Sequence, residues 1–184
     1  MHQGITKPIG DLFSSASGDA AAVAQQIRKQ EAELTLPRVD EQTALEIETQ
    51  IRSLYTSTLL AGQPDKAKHQ GIAFAVELFG GMRLAAGTIG PGVTPGNWTW
   101  IERKINTVRL HHKSSFLTGR ELVTKGRDIN SLGPDFAAHG GAFPIRVTSC
   151  TYPIGAVAVS GLAQEVDHWL VTQALCNVID GQKA

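Results

Sequence analysis

Polar groups able to do chemistry are concentrated in three short stretches. His139-Gly140-Gly141 stands just ahead of an apolar segment, and paired glycines let the backbone approach a ligand closely or adopt conformations closed to other residues. There His139 is a candidate proton donor or axial ligand, and Gly140 and Gly141 can present backbone N–H groups to a ligand oxygen. The alternative is a turn in which the imidazole caps a neighbouring backbone group. Asp167 and His168 are adjacent titratable groups in the first turn of a helical pattern that follows Gly161. Their side chains border the apolar face of Val171, Ala174, Leu175 and Val178, a placement that suits an anion site or acid–base chemistry. Asp167 serves equally as a capping and ion-pairing residue. The third stretch runs from Trp98 to His112. At about 100° per residue, Trp98, Ile101, Ile105, Val108 and His112 form one core seam, and Trp100, Lys104 and His111 lie on the adjoining flank. Lys104 is then either solvated or ion-paired surface, or a cation at a pocket rim that holds a carboxylate. Arg103 and Leu110 point away from the core, and an outward leucine suits a subunit contact.

Positioning these groups takes helices and strands in a definite order. Residues 1–18, rich in Gly and Ser with apolar residues only at Ile5, Ile9, Leu12 and Phe13, read as an arm outside the core. The domain proper spans 19–184. Asp19 opens an Ala-rich helix to about Leu34, with Pro37 beyond it. Asp40 caps a second helix whose Ala44, Ile47, Ile51, Leu54, Tyr55 and Leu59 recur at helical spacing, and Gly62 and Pro64 stop it. From Gly71 the period changes to two: Ile72, Phe74, Val76 and Leu78 alternate with Ala73, Ala75 and Glu77. Gly80-Gly81 then turns the chain into Met82 to Ile89, a hairpin with one bulky and one small face. Asn97 caps a helix to about His112, and a shorter one covers Ser115 to Val123. A second hairpin pairs Ala142–Thr148 with Ile154–Gly161, and Gln164–Ile179 forms the last helix, with Glu165 and Asp167 complementing its dipole. Two hairpins separated by helices predict an α+β fold: an antiparallel sheet of four or five strands flanked by helices, a profilin-like or PAS-like sandwich.

Composition narrows the function. The chain has 184 residues, 17 Lys and Arg against 17 Asp and Glu, and no net charge. A protein living on nucleic acid needs a basic excess to neutralise phosphates, so nucleic acid is not an expected partner. The longest uncharged stretch, Leu84 to Ile101, is broken by Gly87, Gly90, Pro91, Gly92, Pro95 and Gly96, so it reads as a loop and not as a membrane span. The N-terminus shows neither an apolar leader nor an Arg-rich amphipathic pattern, so a cytoplasmic location is expected. Two cysteines, Cys150 and Cys176, are too few for a disulfide scaffold and lack metal-ligand spacing; free thiols and no metal site are expected. P-loop, GxGxxG, HExxH and GxSxG patterns are absent, which argues against the common nucleotide-binding, zinc-protease and serine-hydrolase classes.

Three motifs in order, Trp98-Thr99-Trp100-Ile101-Glu102-Arg103-Lys104 leading to Lys113-Ser114-Ser115, Ala138-His139-Gly140-Gly141-Ala142-Phe143-Pro144-Ile145, and Val159-Ser160-Gly161-Leu162-Ala163-Gln164-Glu165-Val166-Asp167-His168, resemble the haem-degrading-domain superfamily typified by GlcG and HbpS. The likeness is to its compact single-domain branch and covers roughly residues 40–180. It implies an antiparallel sheet flanked by helices, a homo-oligomer built on dimers, and haem or another tetrapyrrole as ligand. On that reading His139, His168 and Asp167 are the catalytic candidates, and Trp100, Lys104, His112, Gly140 and Gly141 the cofactor-binding ones. Ala73, Ala75, Ala156 and Ala158 could leave room for the ligand against the sheet, or accommodate a packed helix. Two other functions stay open. One is a cofactor-independent lyase, isomerase or cyclase acting on a small organic acid, with proton transfer by His139 or His168 and charge from Lys104. The other is a non-catalytic oligomeric scaffold or adaptor, which needs no pocket.

Overall fold

The computed structural model describes residues 19–60 and 70–183. The N-terminal arm and the Gly62-Pro64 helix stop lie outside the described residues. Helix α1 (Ala20–Glu33) starts where the Asp19 carboxylate accepts from the backbone N–H groups of Ala21 and Ala22, and α2 (Glu41–Leu54) starts where Asp40 accepts from Thr43. Each carboxylate satisfies donors that have no partner within the helix. The second helix runs on through a π-helical turn, Tyr55–Leu60. Strands β1 (Ile72–Leu78) and β2 (Arg83–Ile89) form the first hairpin, and α3 (Pro95–His111) and α4 (Ser115–Thr124) follow. Strands β3 (Ala142–Ile145) and β4 (Gly155–Ser160) form the second hairpin, and α5 (Gln164–Lys183) follows it.

The four strands make one fully antiparallel sheet in the order β2-β1-β4-β3, so the two hairpins join through β1 and β4. The expected α+β sandwich is the observed one. Alternation along the strands gives the sheet two unlike faces. Ile72, Phe74, Val76, Phe143, Ile145, Val157 and Val159 form the bulky one, packed against Ala44, Ile47 and Ile51 of α2 and Val171, Ala174, Leu175 and Val178 of α5. Ala73, Ala75, Ala142, Ala156 and Ala158 form the other, and Ile101, Ile105 and Val108 of α3 rest directly on them. The alanines therefore let a helix approach, and α3 occupies the space that they leave. A third cluster, Val23, Ala24, Ile27, Phe116 and Leu117, ties α1 to α4.

Several boundaries differ from the sequence reading. Helix α3 is capped by Thr94, whose backbone N–H donates to Asn97 Oδ1 at 2.8 Å, so Asn97 is the third helical residue of a capping box and Pro95 takes the first helical position. His112 leaves the core seam: it is exposed, in the left-handed conformation (φ 55°) that terminates α3. Strand β3 stops at Ile145 because the following backbone turns to a different partner, with Arg146 O and Thr148 N bonded to Leu36. The last helix continues beyond Ile179 to Lys183. Both cysteines are free thiols, Cys150 exposed and Cys176 buried.

Candidate functional site

Seating α3 on the alanine face carries Lys104 into the protein, where only 3% of it is exposed. A bare ammonium there would be costly, and two acceptors meet it: Asp167 Oδ2 at 2.9 Å and Val159 O at 3.0 Å. Asp167, in the first turn of α5, is buried too, and its Oδ1 accepts from Leu162 N at 3.2 Å. Burial pushes the Asp167 carboxyl above its usual range, opposed by the Lys104 ammonium and the backbone N–H groups of Leu162 and Gly161. The ion pair thus bridges α3, the end of β4 and the start of α5. Gly141 closes its back. With φ +123°, a Cβ at Gly141 would stand 2.5 Å from Lys104 Nζ and 2.9 Å from Asp167 Cβ, and closer still to Val159 O. A Cβ at Gly140 would collide with the carbonyl of Gln164.

In front of the pair lies a cleft of about 240 Å³. Helix α3 contributes Asn97, Trp100 and Lys104, the loop before β3 contributes His139, and the β4–α5 junction contributes Ser160, Gly161, Leu162, Gln164 and Asp167. The indole of Trp100 meets the His139 imidazole edge-on, with ring centroids 5.0 Å apart. Nδ1 of His139 is buried and has no hydrogen-bond partner among the described residues. Burial lowers the His139 pKa, Lys104 and Arg120 lower it further, and Asp128 and Glu165 oppose them. The balance favours the neutral imidazole, the form that can accept a proton or ligate a metal.

Of the residues expected to converge, Trp100, Lys104, His139 and Asp167 line this cleft; Gly140 and Gly141 do not line it but pack against Gln164 and against the Lys104–Asp167 pair, and the Gly140 N–H donates to Gln164 Oε1 at 3.3 Å. His168 and His112 do not line it. His168 follows Asp167 by about 100° around α5, which turns it toward α1 and α4. There it is fully buried, with Nε2 3.0 Å from Gln30 Oε1 and the rings of Phe116 and Phe143 at 5.0 and 5.9 Å. His112 stands at the far end of α3 against Tyr152, ring centroids 5.7 Å apart, its carbonyl accepting from Arg146. Asn97, Ser160 and Gln164 are lining residues that the sequence reading assigned no site role. Asn97 had signalled only a cap, yet its amide also donates to Ser160 O at 3.3 Å.

The burial of His168 predicts an acid-sensitive fold. Desolvation lowers its pKa from 6.5 to about 3, so an unfolded chain takes up a proton below the ordinary histidine range that the folded chain refuses until about pH 3. Its stabilising effect is complete above the unfolded pKa and declines as pH falls, by about 1.4 kcal/mol per pH unit across that window. Urea midpoints of the wild type should therefore fall more steeply with acidification than those of His168→Gln; parallel slopes would contradict the account.

Fold and cleft together define the class: an antiparallel α+β sandwich with a small opening where α3, the loop before β3 and the start of α5 meet. The family model described as "Haem degrading protein HbpS-like" matches residues 56–176, and the chain belongs to that HbpS-like family. A UPF0303 protein of Acidobacterium capsulatum is 36% identical over 166 residues, covering 88% of this chain and 90% of that one. The solved structure of Ybr137w protein shares the fold with a TM-score of 0.77 at 22% identity, covering 94% of this chain and 95% of that one. A solved structure described as a PduOC–haem complex superposes with a TM-score of 0.58 at 12% identity, covering 75% and 93%.

Proposed function

We propose that this protein binds haem or a related tetrapyrrole, with His139 as the axial base, as a homo-oligomer acting in the cytoplasm. The observation that carries the reading is the His139 imidazole itself: it lines the cleft beside the Trp100 ring, burial lowers its pKa, and among the described residues no group pairs with its buried Nδ1. Membership of the HbpS-like family supports the same reading, as does the haem bound by the PduOC structure of the same fold.

The residues present fit such a group at one edge. His139 supplies a neutral nitrogen donor, Trp100 a flat apolar wall, and Asn97 and Gln164 hydrogen-bonding groups around it. A cleft of about 240 Å³ is smaller than the ~300–1,000 Å³ of pockets that enclose drug-sized ligands, so one subunit covers only part of a macrocycle. In the proposal a second copy covers the remainder, for which the exposed Trp100 and Leu110 offer apolar contacts. Haem iron, when bound, supplies Lewis-acid and redox chemistry; the chain's own work is to hold a neutral imidazole and exclude water around it.

The size of the cleft favours a second reading, proton transfer on a small organic acid by His139 with charge from Lys104. The scaffold reading needs no pocket, and the cleft stands against it. Hemin titration followed by absorbance separates these. The wild type and His112→Ala should develop the same sharpened, shifted Soret band, and His139→Ala should lose it. A band unchanged in His139→Ala overturns the axial assignment.

A further inference from the structure

Hydrogen bonds to the backbone fix the orientation of the two amide side chains that line the cleft. The Gly140 N–H donates to Gln164 Oε1 at 3.3 Å, and the Thr94 N–H donates to Asn97 Oδ1 at 2.8 Å. A backbone N–H can only donate, so in each amide the oxygen is taken by the backbone and the nitrogen is left over. Asn97 Nδ2 donates to Ser160 O, which uses one of its two protons. Among the described residues nothing accepts from Gln164 Nε2 and nothing pairs with Ser160 Oγ, and neither atom is sealed off in the interior. Both residues line the cleft.

The acceptors of the same wall are already in use. Asp167, the carboxylate that lines the cleft, receives Lys104 Nζ at Oδ2 and Leu162 N at Oδ1. An ammonium carries three N–H groups. Lys104 has two acceptors, Asp167 Oδ2 and Val159 O, so one of its protons remains for the cleft in front of the pair. His139 apart, the unspent hydrogen-bonding capacity of the lining side chains is therefore donor capacity, in Lys104, Asn97, Gln164 and the Ser160 hydroxyl. Asn97 and Gln164 also stand in the first turns of α3 and α5, so the positive ends of two helix dipoles border the opening.

We propose that the cleft binds a carboxylate of its ligand, received by Gln164, Asn97, Ser160 and Lys104 beside His139. A carboxylate brings two acceptor oxygens and no proton, which matches a wall of donors. An amine or amide would bring N–H groups for which these side chains keep no acceptor, and a single carbonyl oxygen would leave most of the donors unmatched. The inference rests on the reading that the His139 cleft takes a ligand, but it needs no iron.

Sodium acetate probes the site, with sodium chloride and methylammonium chloride at equal ionic strength as controls, followed by NMR at the side-chain amide resonances of Asn97 and Gln164. Acetate should shift them saturably and the two chlorides should not. No saturable shift with acetate, or an equal one with either chloride, overturns the proposal. Gln164→Glu keeps an oxygen for the Gly140 N–H and puts an acceptor where the donor was. Read at the Asn97 amide, it should weaken acetate binding by about tenfold or more, the strength of one charge-assisted hydrogen bond; undiminished binding overturns the proposal. Should Gln164→Glu fail to fold, Ser160→Ala decides in the same way, by removing one donor. A Gln164-dependent acetate response without a His139-dependent hemin band would sink the haem reading and leave this one standing. A His139-dependent band with no saturable acetate response would do the reverse.

Discussion

Asp167→Ala should lower the unfolding free energy by about 3–5 kcal/mol, the ordinary penalty for leaving one half of a buried ion pair uncompensated. Lys104 would keep its charge at 3% exposure with only the Val159 carbonyl to accept from it, and Leu162 N would lose its acceptor. The pair itself need not be a large net stabiliser, because desolvating two charges offsets most of their attraction. The double variant Lys104→Met with Asp167→Asn removes both charges and keeps an oxygen for Leu162 N. It should recover more than half of the loss. Urea denaturation of the two variants checks this, and a single-variant loss of about 1 kcal/mol or less, typical of an exposed pair, would contradict the buried geometry.

Gly141→Ala is expected to be comparably damaging, by roughly 3 kcal/mol or more, because two penalties coincide. The backbone sits at φ +123°, in a region that residues with a Cβ rarely adopt. The new methyl group would also press on Lys104 Nζ, Asp167 Cβ and Val159 O at once, and none of these can withdraw without opening the ion pair or the sheet edge. Gly80→Ala is the matched control: nothing lies within 4 Å of its added Cβ, and its effect should stay within about 0.5 kcal/mol, as for other surface changes. Equal thermal shifts for the two variants would show that Gly141 is not under this constraint.

The scaffold was largely legible in the residues. Strict alternation of Ile72, Phe74 and Val76 with Ala73 and Ala75 foretold both hairpin and unlike faces, because a period of two has one structural meaning. Asp19 and Asp40 marked helix starts that the structure keeps. The start of α3 was misread because Thr94-Pro95-Gly96-Asn97 presents two capping residues; Pro95 at the first helical position favours Thr94, and that signal was available. At the site, Lys104 and Asp167 could be placed near the core edge, yet their pairing depends on α3 crossing β4, a contact of two elements far apart in sequence. His168 was grouped with Asp167 because they are adjacent, although adjacent helical residues diverge by about 100°. Its true partner, Gln30, sits on an Ala-rich helix whose pattern gave no reason to expect a buried amide.

The central claim is that a tetrapyrrole sits at the opening between Trp100, His139 and the β4–α5 junction. Paramagnetic broadening by ferric haem maps this directly on isotope-labelled protein. The account predicts that sub-stoichiometric hemin erases the Trp100 indole resonance and the backbone resonances of Gly161 and Gln164, and leaves those of His112 and Tyr152 at the far end of α3 sharp. Broadening centred on His112 and Tyr152, or spread evenly over the surface, would contradict it.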